Sequence, residues 1–316
     1  MGLAMARVRI CLPVRQGERY LREAMESVLA QSLQDWELVV SDNASTDATL
    51  QIARTVRDPR IRVLTRSADV GLVHNLNACL EGAETEWVLF LSHDDRLHPR
   101  TLERLLNAAS DGIAAVVGGV RSINERGEPG SSWIPDLPDS MGGSDAVAWS
   151  LSKAFNPAHW GNTLWHLPSL ESVGGFRPEA GPFSDWSLFL RVALQGRIML
   201  LREILADYRD HPLSLTSRLR SPAMHGRELI RVLQGFAELK PAFRDRVNDA
   251  CRTLARRYSA RSGETDLGCF KEVGRWLGAP LPLPTRLGCV LRMLKVRLTT
   301  RRAAAMPPPA PPNVPT

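Results

Sequence analysis

The sequence predicts an α/β protein: a mostly parallel sheet flanked by helices, with a helical, basic C-terminal extension. Three observations carry this. Short β-rich apolar runs alternate with helix-spaced ones over the first 120 residues. One run, Trp87–Leu91, is apolar throughout, as a strand buried on both faces would be, and it ends in Ser92-His93-Asp94-Asp95. Charge is also unevenly spread. Residues 1–216 hold 21 basic and 27 acidic side chains, net −6, whereas 217–316 hold 19 and 7, net +12.

The elements follow in order. Val8–Val14 reads as a first strand ending beside Pro13. Leu21, Ala24, Met25, Val28 and Leu29 fall at helical spacing. Trp36–Ser41 is a second strand, closed by the turn-forming cluster Asp42-Asn43-Ala44-Ser45-Thr46-Asp47. A helix runs through Arg57, then a short strand spans Ile61–Leu64. Gly71 opens a helix carrying Leu72, Leu76, Cys79 and Leu80. The Trp87–Leu91 strand, a helix around Leu102, Leu105 and Leu106, and a strand at Ala114–Val120 complete the first half. Residues 121–143, rich in Gly, Pro, Ser and Asp, read as a mobile loop. Gly174-Gly175-Phe176 marks a tight turn. A helix follows near Trp186–Gln195, then separate strands near Ile198–Leu201 and Ala206–Arg209. From about residue 221 the pattern is helical and basic, and Pro307–Thr316 reads as disordered.

Composition bounds the possibilities. The 316 residues suffice for one large domain or two modest ones. Five cysteines without a CxxC pair suggest a reducing compartment. No run of about 18 apolar residues predicts a membrane span. The N-terminus lacks a signal-peptide layout, and Ala6 breaks a myristoylation pattern. A cytoplasmic protein is expected. There is no GxGxxG after the first strand, no GxxxxGK[ST] and no GxSxG, which argues against a dinucleotide-binding fold, a P-loop and an α/β-hydrolase.

What remains is a set of acids at predicted strand ends: Asp42, Asp94 and Asp95, with Asp185 opening a later helix. In open α/β sheets, ligands bind at the carboxyl edge. Paired carboxylates there most simply hold a hard divalent cation, and the cation holds phosphate. The plain alternative is a solvated turn acid before a helix.

The ordered set Leu12-Pro13-Val14 with Gly17, the Glu37–Asp42 strand with Asn43-Ala44-Ser45-Thr46-Asp47, Gly71 with Asn77, His93-Asp94-Asp95, Gly174-Gly175-Phe176, Ser184-Asp185-Trp186 and Leu190-Arg191 resembles family 2 glycosyltransferases of the GT-A fold. The resemblance covers roughly residues 7–216. It implies a Rossmann-like sheet and inverting transfer of a sugar from a nucleotide-diphosphate donor, UDP most commonly, with GDP and dTDP left open.

The resemblance also implies residue roles. Asp42 would contact the nucleotide base, a carboxylate accepting from a pyrimidine N–H. Pro13 and Val14 would wall the base and ribose, with Arg15 stacking or pairing with phosphate. Asn77 and Asp94 join the nucleotide set, Asp94 at the ribose. Asp95, with His211, would bind Mn²⁺ or Mg²⁺. His93 stands where a full Asp-x-Asp has its first acid. Asp185 would be the general base, although a helix N-terminus also favours an acid there. Ser184 stands where relatives often carry Glu. Of Trp160, Trp165 and Trp186, only Trp186 is expected at the acceptor, as a flat face for a sugar ring.

The expected organisation is a catalytic domain over 1–216, with a nucleotide-sugar half at 7–120 and an acceptor half at 121–216. A helical extension would span 217–285, and a basic amphipathic segment with a Pro-rich tail 286–316. Leu287, Val290, Leu291, Leu294 and Leu298 form one stripe beside Arg292, Lys295, Arg297, Arg301 and Arg302. Docking or partner contact is slightly preferred, and peripheral contact with anionic lipid at the inner membrane face is the other reading. Nucleic acid is not expected, because aromatics do not interleave the basic residues. The expected acceptor is a glycan or lipid-linked glycan in polysaccharide or lipopolysaccharide-type assembly. The competing readings are a sugar-nucleotide nucleotidyltransferase and a non-catalytic nucleotide- or glycan-binding homologue.

Overall fold

The computed structural model describes residues 6–218, 222–261 and 273–278. The first half alternates as expected: β1 (Val8–Val14), α1 (Leu21–Leu29), β2 (Trp36–Asp42), α2 (Thr49–Thr55), β3 (Ile61–Thr65), α3 (Leu72–Leu80), β4 (Trp87–Phe90), β5 (Arg96–Leu97), α4 (Thr101–Asn107) and β6 (Ile113–Ile123). The second half holds β7 (Pro129–Trp133), β8 (Ser140–Gly142), α5 (Gly143–Lys153), β9 (Thr163–His166), α6 (Leu167–Ser172), α7 (Ser184–Val192), β10 (Arg197–Arg209), α8 (Leu215–Arg218), α9 (Pro222–Leu239) and α10 (Arg244–Arg261).

These strands form one sheet in the order β3-β2-β1-β4-β9-β6-β10-β5, with β7 beside β6 and β8 beside β10. The run β3-β2-β1-β4 is parallel, as are β6 and β10. Strand β9 lies antiparallel between β4 and β6 and joins the halves. All four residues of β4, and all of β1 except Pro13, are buried, as central parallel strands covered on both faces require. Register aligns Val14 with Asp42 and Asp42 with Thr65, so three chain segments leave the sheet at one edge. Arg9, nearly inaccessible on β1, donates to the carbonyls of Cys79, Leu80, Glu81 and Gly82 and pairs with Glu37. It thereby satisfies the carbonyl end of α3 from inside the sheet.

Two expectations are corrected. Residues 121–143 are not simply a loop: β6 runs on to Ile123, a hairpin returns as β7, and β8 pairs with β10. The Asn124 Oδ1 accepts from the N–H groups of Arg126 and Glu128, and Gly127 takes φ 80°, which builds the turn. The strands expected at Ile198–Leu201 and Ala206–Arg209 are one strand, β10. Register shifts against β6 near Ile204 absorb the residues between them.

Helices α9 and α10 pack on each other, and α5, α7 and the 3₁₀ segment Pro178–Phe183 pack against this pair. Ile230, Leu233, Phe236, Val247 and Leu254 lie in the same apolar cluster as Val88, Phe90 and Trp186. The described part of the C-terminal region therefore shares the core of the sheet. No helix among the described residues is long and apolar enough to cross a membrane. Cys11, Cys79 and Cys251 are buried. The basic stripe at 286–302, Cys269 and Cys289 lie outside the described residues.

Candidate functional site

The carboxyl ends of β1, β2 and β3 build one side of the site. Gln16 and Ala44 adopt left-handed backbone, φ 54° and 56°, in the two loops that follow β1 and β2. Non-glycine residues hold such angles only where their surroundings enforce them. Here the loops are laced together. Gln16 Oε1 accepts from Thr46 N–H, Gln16 N–H donates to Ser45 Oγ, and Gly17 N–H to Thr49 Oγ1. Gly17 cannot be larger, because a Cβ there would lie 2.7 Å from the His93 ring. Asp42, buried, accepts from Ser45 N–H. Pro13 and Val14 stand at the same edge, with Val14 buried and Pro13 half-buried.

Arg15 is half exposed and pairs with Asp69 at 3.2 Å. Asp69 also accepts from Asn43 Nδ2 and Gly71 N–H, and Asn43 Oδ1 accepts from Val70 N–H. Asp69 escaped the sequence reading because it follows a short, half-exposed strand with no apolar signal at its end. Its partners were visible only as separate turn residues.

Asp94 and Asp95 sit in the turn after β4, both buried. Asp94 Oδ2 lies 2.9 Å from His211 Nε2, and its Oδ1 accepts from Ser92 Oγ. Burial works to raise the Asp94 pKa, but the His211 hydrogen bond, the nearby His93 and Ser92 together hold it at about 2. Asp95 goes the other way. Burial and the Asp94 charge push its carboxyl well above the usual range, and the Arg209 N–H, 2.8 Å from its Oδ1, offsets only part of this.

Arg209, fully buried on β10, is the scaffold that sequence reasoning passed over. It donates to Asp94 O, Asn124 O and Glu125 O and pairs with Glu23 at 2.5 Å. Its guanidinium also lies over the Tyr20 ring, which meets His211 edge-on. Beside it Asp207, also buried, binds Arg96, Arg121 and His98.

The donor set suits a hard divalent cation: two adjacent buried carboxylates and an imidazole whose buried Nδ1 has no partner. A cation would also offset the repulsion that raises Asp95. Among the described residues no three acidic, histidine or cysteine side chains already form a metal cluster. Asp95 and His211, the expected ligands, are therefore not arranged with Asp94 as a three-ligand cation site.

Asp185 belongs to a separate group. It begins α7, where the helix dipole favours an acid. Its Oδ1 accepts from Trp186 N–H at 2.8 Å and its Oδ2 from Asn156 Nδ2 at 3.0 Å. Burial raises its carboxyl to about 6 against these two hydrogen bonds. Asn156 lies on the loop between α5 and β9, which is pinned to β4 by Gly161 N–H donating to Phe90 O at 2.6 Å. This pin ties the Asp185 group to the strand that carries Asp94 and Asp95. Asn156 was missed because Asn-Pro reads only as a turn.

One expected role is corrected, and a second expected residue is engaged with backbone. Trp186 is buried in the core and its indole N–H donates to Ser150 Oγ, so its ring offers no face to an acceptor. Asn77 uses both ends of its amide on the Phe176 backbone, at 2.9 and 3.0 Å, and so staples α3 to the Gly174-Gly175 turn. Gly175, at φ 66°, admits this contact: a Cβ there would lie 2.9 Å from Asn77 Oδ1.

Known proteins share this architecture. The mannosyltransferase PcManGT from Pyrobaculum calidifontis, solved with GDP-Man and Mn²⁺, superposes with TM-score 0.57 at 18% identity, over 95% of this chain and 89% of that one. S. aureus TarS 1–349, solved with UDP-GlcNAc, superposes with TM-score 0.59 at 18% identity, over 86% and 92%. These likenesses establish the fold. In sequence, "Putative glycosyltransferase EpsE" of Bacillus subtilis is 33% identical over 212 residues, 65% of this chain and 73% of that protein. The model of the family described as Glycosyl transferase family 2 matches residues 9–142, the stretch that carries Asp42, Asp94 and Asp95. With 33% identity across 73% of a relative's length, and that match over the strand-end acids, the chain belongs to glycosyl transferase family 2.

Proposed function

We propose that the protein is an inverting, metal-dependent glycosyltransferase that moves a sugar from a nucleotide diphosphate, a UDP-sugar by expectation, to a hydroxyl of a glycan or glycolipid. The pathway we infer is cell-surface polysaccharide or lipopolysaccharide-type assembly. The observation that carries the reading is the pair of carboxylate environments. The turn after β4, with His211 against it, offers Asp94 for the ribose and Asp95 and His211 for a cation, and a separate helix start offers a carboxyl poised at about 6.

In this reading Pro13, Val14, Arg15 and Asp42 hold the nucleotide, Asp94 reaches the ribose, and Asp95 and His211 hold Mn²⁺ or Mg²⁺. The cation, when bound, supplies positive charge against the diphosphate. Asp185 accepts the proton of the attacking hydroxyl as that oxygen bonds to the anomeric carbon and the bond to the diphosphate breaks. A carboxylate with a pKa near 6 is ionised at neutral pH yet still basic enough for that step.

Thermal unfolding with UDP, GDP, dTDP and CMP, each with and without Mn²⁺, tests this. A Mn²⁺-dependent rise with one diphosphate is expected, equivalent to about 3 kcal/mol at a hundredfold excess over Kd. No rise with any of them would favour a non-catalytic homologue.

A further inference from the structure

Among the described residues, no charged group contributes to the Asp185 carboxylate. Its shift arises from burial and from backbone and side-chain hydrogen bonds, with no contribution from a neighbouring charge. Charged and titratable groups do stand on the elements around it: His159 on the Asn156 loop, Arg177 and Glu179 at the 3₁₀ segment, His225 and Glu228 on α9, and Arg257 on α10. Arg257 is spent on the carbonyls of Lys153 and Ala154. Among the described residues, the side chain that hydrogen-bonds the carboxylate is the neutral amide of Asn156.

That amide can face only one way. Asn156 Oδ1 accepts from Ala158 N–H at 3.1 Å, and Nδ2 donates to Ala158 O at 2.7 Å. An amide oxygen cannot donate, so the Ala158 N–H fixes which end is oxygen and turns Nδ2 toward Asp185. The loop holding the amide is itself rigid. Ala154 enters it in left-handed backbone at φ 46°, Ser150 Oγ donates to Phe155 O, and Phe155 and His159 pack around Trp133. Asn162 ties its far end to β6 through Gly118 O. A donor aimed from a fixed loop stabilises the charged form of a carboxylate and holds it in one rotamer.

We propose that Asn156 is a positioning residue for the transfer reaction, one that holds the Asp185 carboxylate in a single orientation and in its ionised form. It does not touch substrate. The proposal rests on Asp185 being the general base, and its test is chosen to separate the two.

The test is carboxyl-carbon NMR of the full chain with labelled aspartate, the Asp185 resonance being the one lost in Asp185→Asn. Asn156→Ser keeps a hydroxyl for the Ala158 turn but is too short to reach Asp185. Its Asp185 titration midpoint is expected to rise by about one pH unit over the parent protein. Asn156→Asp preserves shape and replaces the N–H donor with a second carboxyl, and it is expected to raise the midpoint further. A merely structural role for Asn156 would lower the unfolding temperature and leave the midpoint in place. An unchanged midpoint in either variant overturns the proposal. Sugar transfer by Asp185→Asn decides the base reading by itself: undiminished transfer there removes Asp185 as base, whatever Asn156 does to the titration.

Discussion

Asp94, buried, and Asp185, half-buried, are both acids at the ends of core elements, yet they are tuned in opposite directions. Asp94 is held at about 2 by His211, His93 and Ser92, whereas Asp185 is raised to about 6 by burial among neutral donors. The difference lies in the company each keeps. Around Asp94 the sheet edge gathers charge: His211 on its carboxylate and Arg209 on its backbone carbonyl, with Glu23 beyond. Around Asp185 the fold offers one amide and one backbone N–H. A carboxylate of the first kind stays charged at neutral pH. One of the second kind can take a proton near neutral pH.

The contrast can be broken most directly at Asp185. Asp185→Asn is expected to lower turnover about 1000-fold while leaving UDP affinity by calorimetry within about twofold. A variant with full turnover would end the assignment of opposite roles. Next in size is Asp95→Ala, expected to remove the Mn²⁺-dependent part of UDP affinity, a loss of about tenfold or more. UDP binding that keeps its full Mn²⁺ dependence would move the metal role elsewhere.

A smaller effect sharpens the comparison through stability. The folded Asp185 carboxyl lies near 6, above its value in an unfolded chain, so the folded state binds the proton more tightly. The stability this lends is present below about pH 4 and is lost as pH rises through about 6. Asp185→Asn should therefore be more stable than the parent by about 2 kcal/mol above pH 7, with the gain vanishing below about pH 4, in urea titrations at each pH. Asp94, with its depressed carboxyl, contributes in the opposite sense: its stability is present above about pH 4 and fades as pH falls toward about 2. A parent curve without a loss between pH 4 and 6 would contradict the Asp185 environment. The smallest effect is at Ala44, left-handed at φ 56° beside the nucleotide edge. Ala44→Gly should relieve that strain for a net gain of about 0.5 kcal/mol, and a loss would show that the lacing of the two loops overrides backbone strain.

Much of the first half was legible from residues alone. The spacing of Leu21, Ala24, Met25 and Val28 names the buried face of α1, and the apolar run at Trp87 predicts the buried β4. The acid pair was legible because it ends that strand, and Asp185 because it opens a helix within a recognisable motif. Trp186 misled for the opposite reason: its neighbour Asp185 is the proposed base, but a helix turns about 100° per residue and sends the next side chain into the core. Asn77 sat in a motif whose spacing shows that it matters without showing what it touches, a backbone 99 residues away.

By itself the sequence determined local matters: period, burial pattern, turn chemistry and the residue types that can hold phosphate and metal. These depend on neighbours a few positions apart. Tertiary structure decided which distant residues meet. It brought His211 from the segment after β10 to Asp94, placed Arg209 beneath the acid pair, joined Arg15 to Asp69, and set Asn156 against Asp185. It also decided that one aspartate would be acidic and another basic, because a pKa responds to desolvation and to charges and hydrogen bonds in three dimensions, which no spacing along the chain encodes.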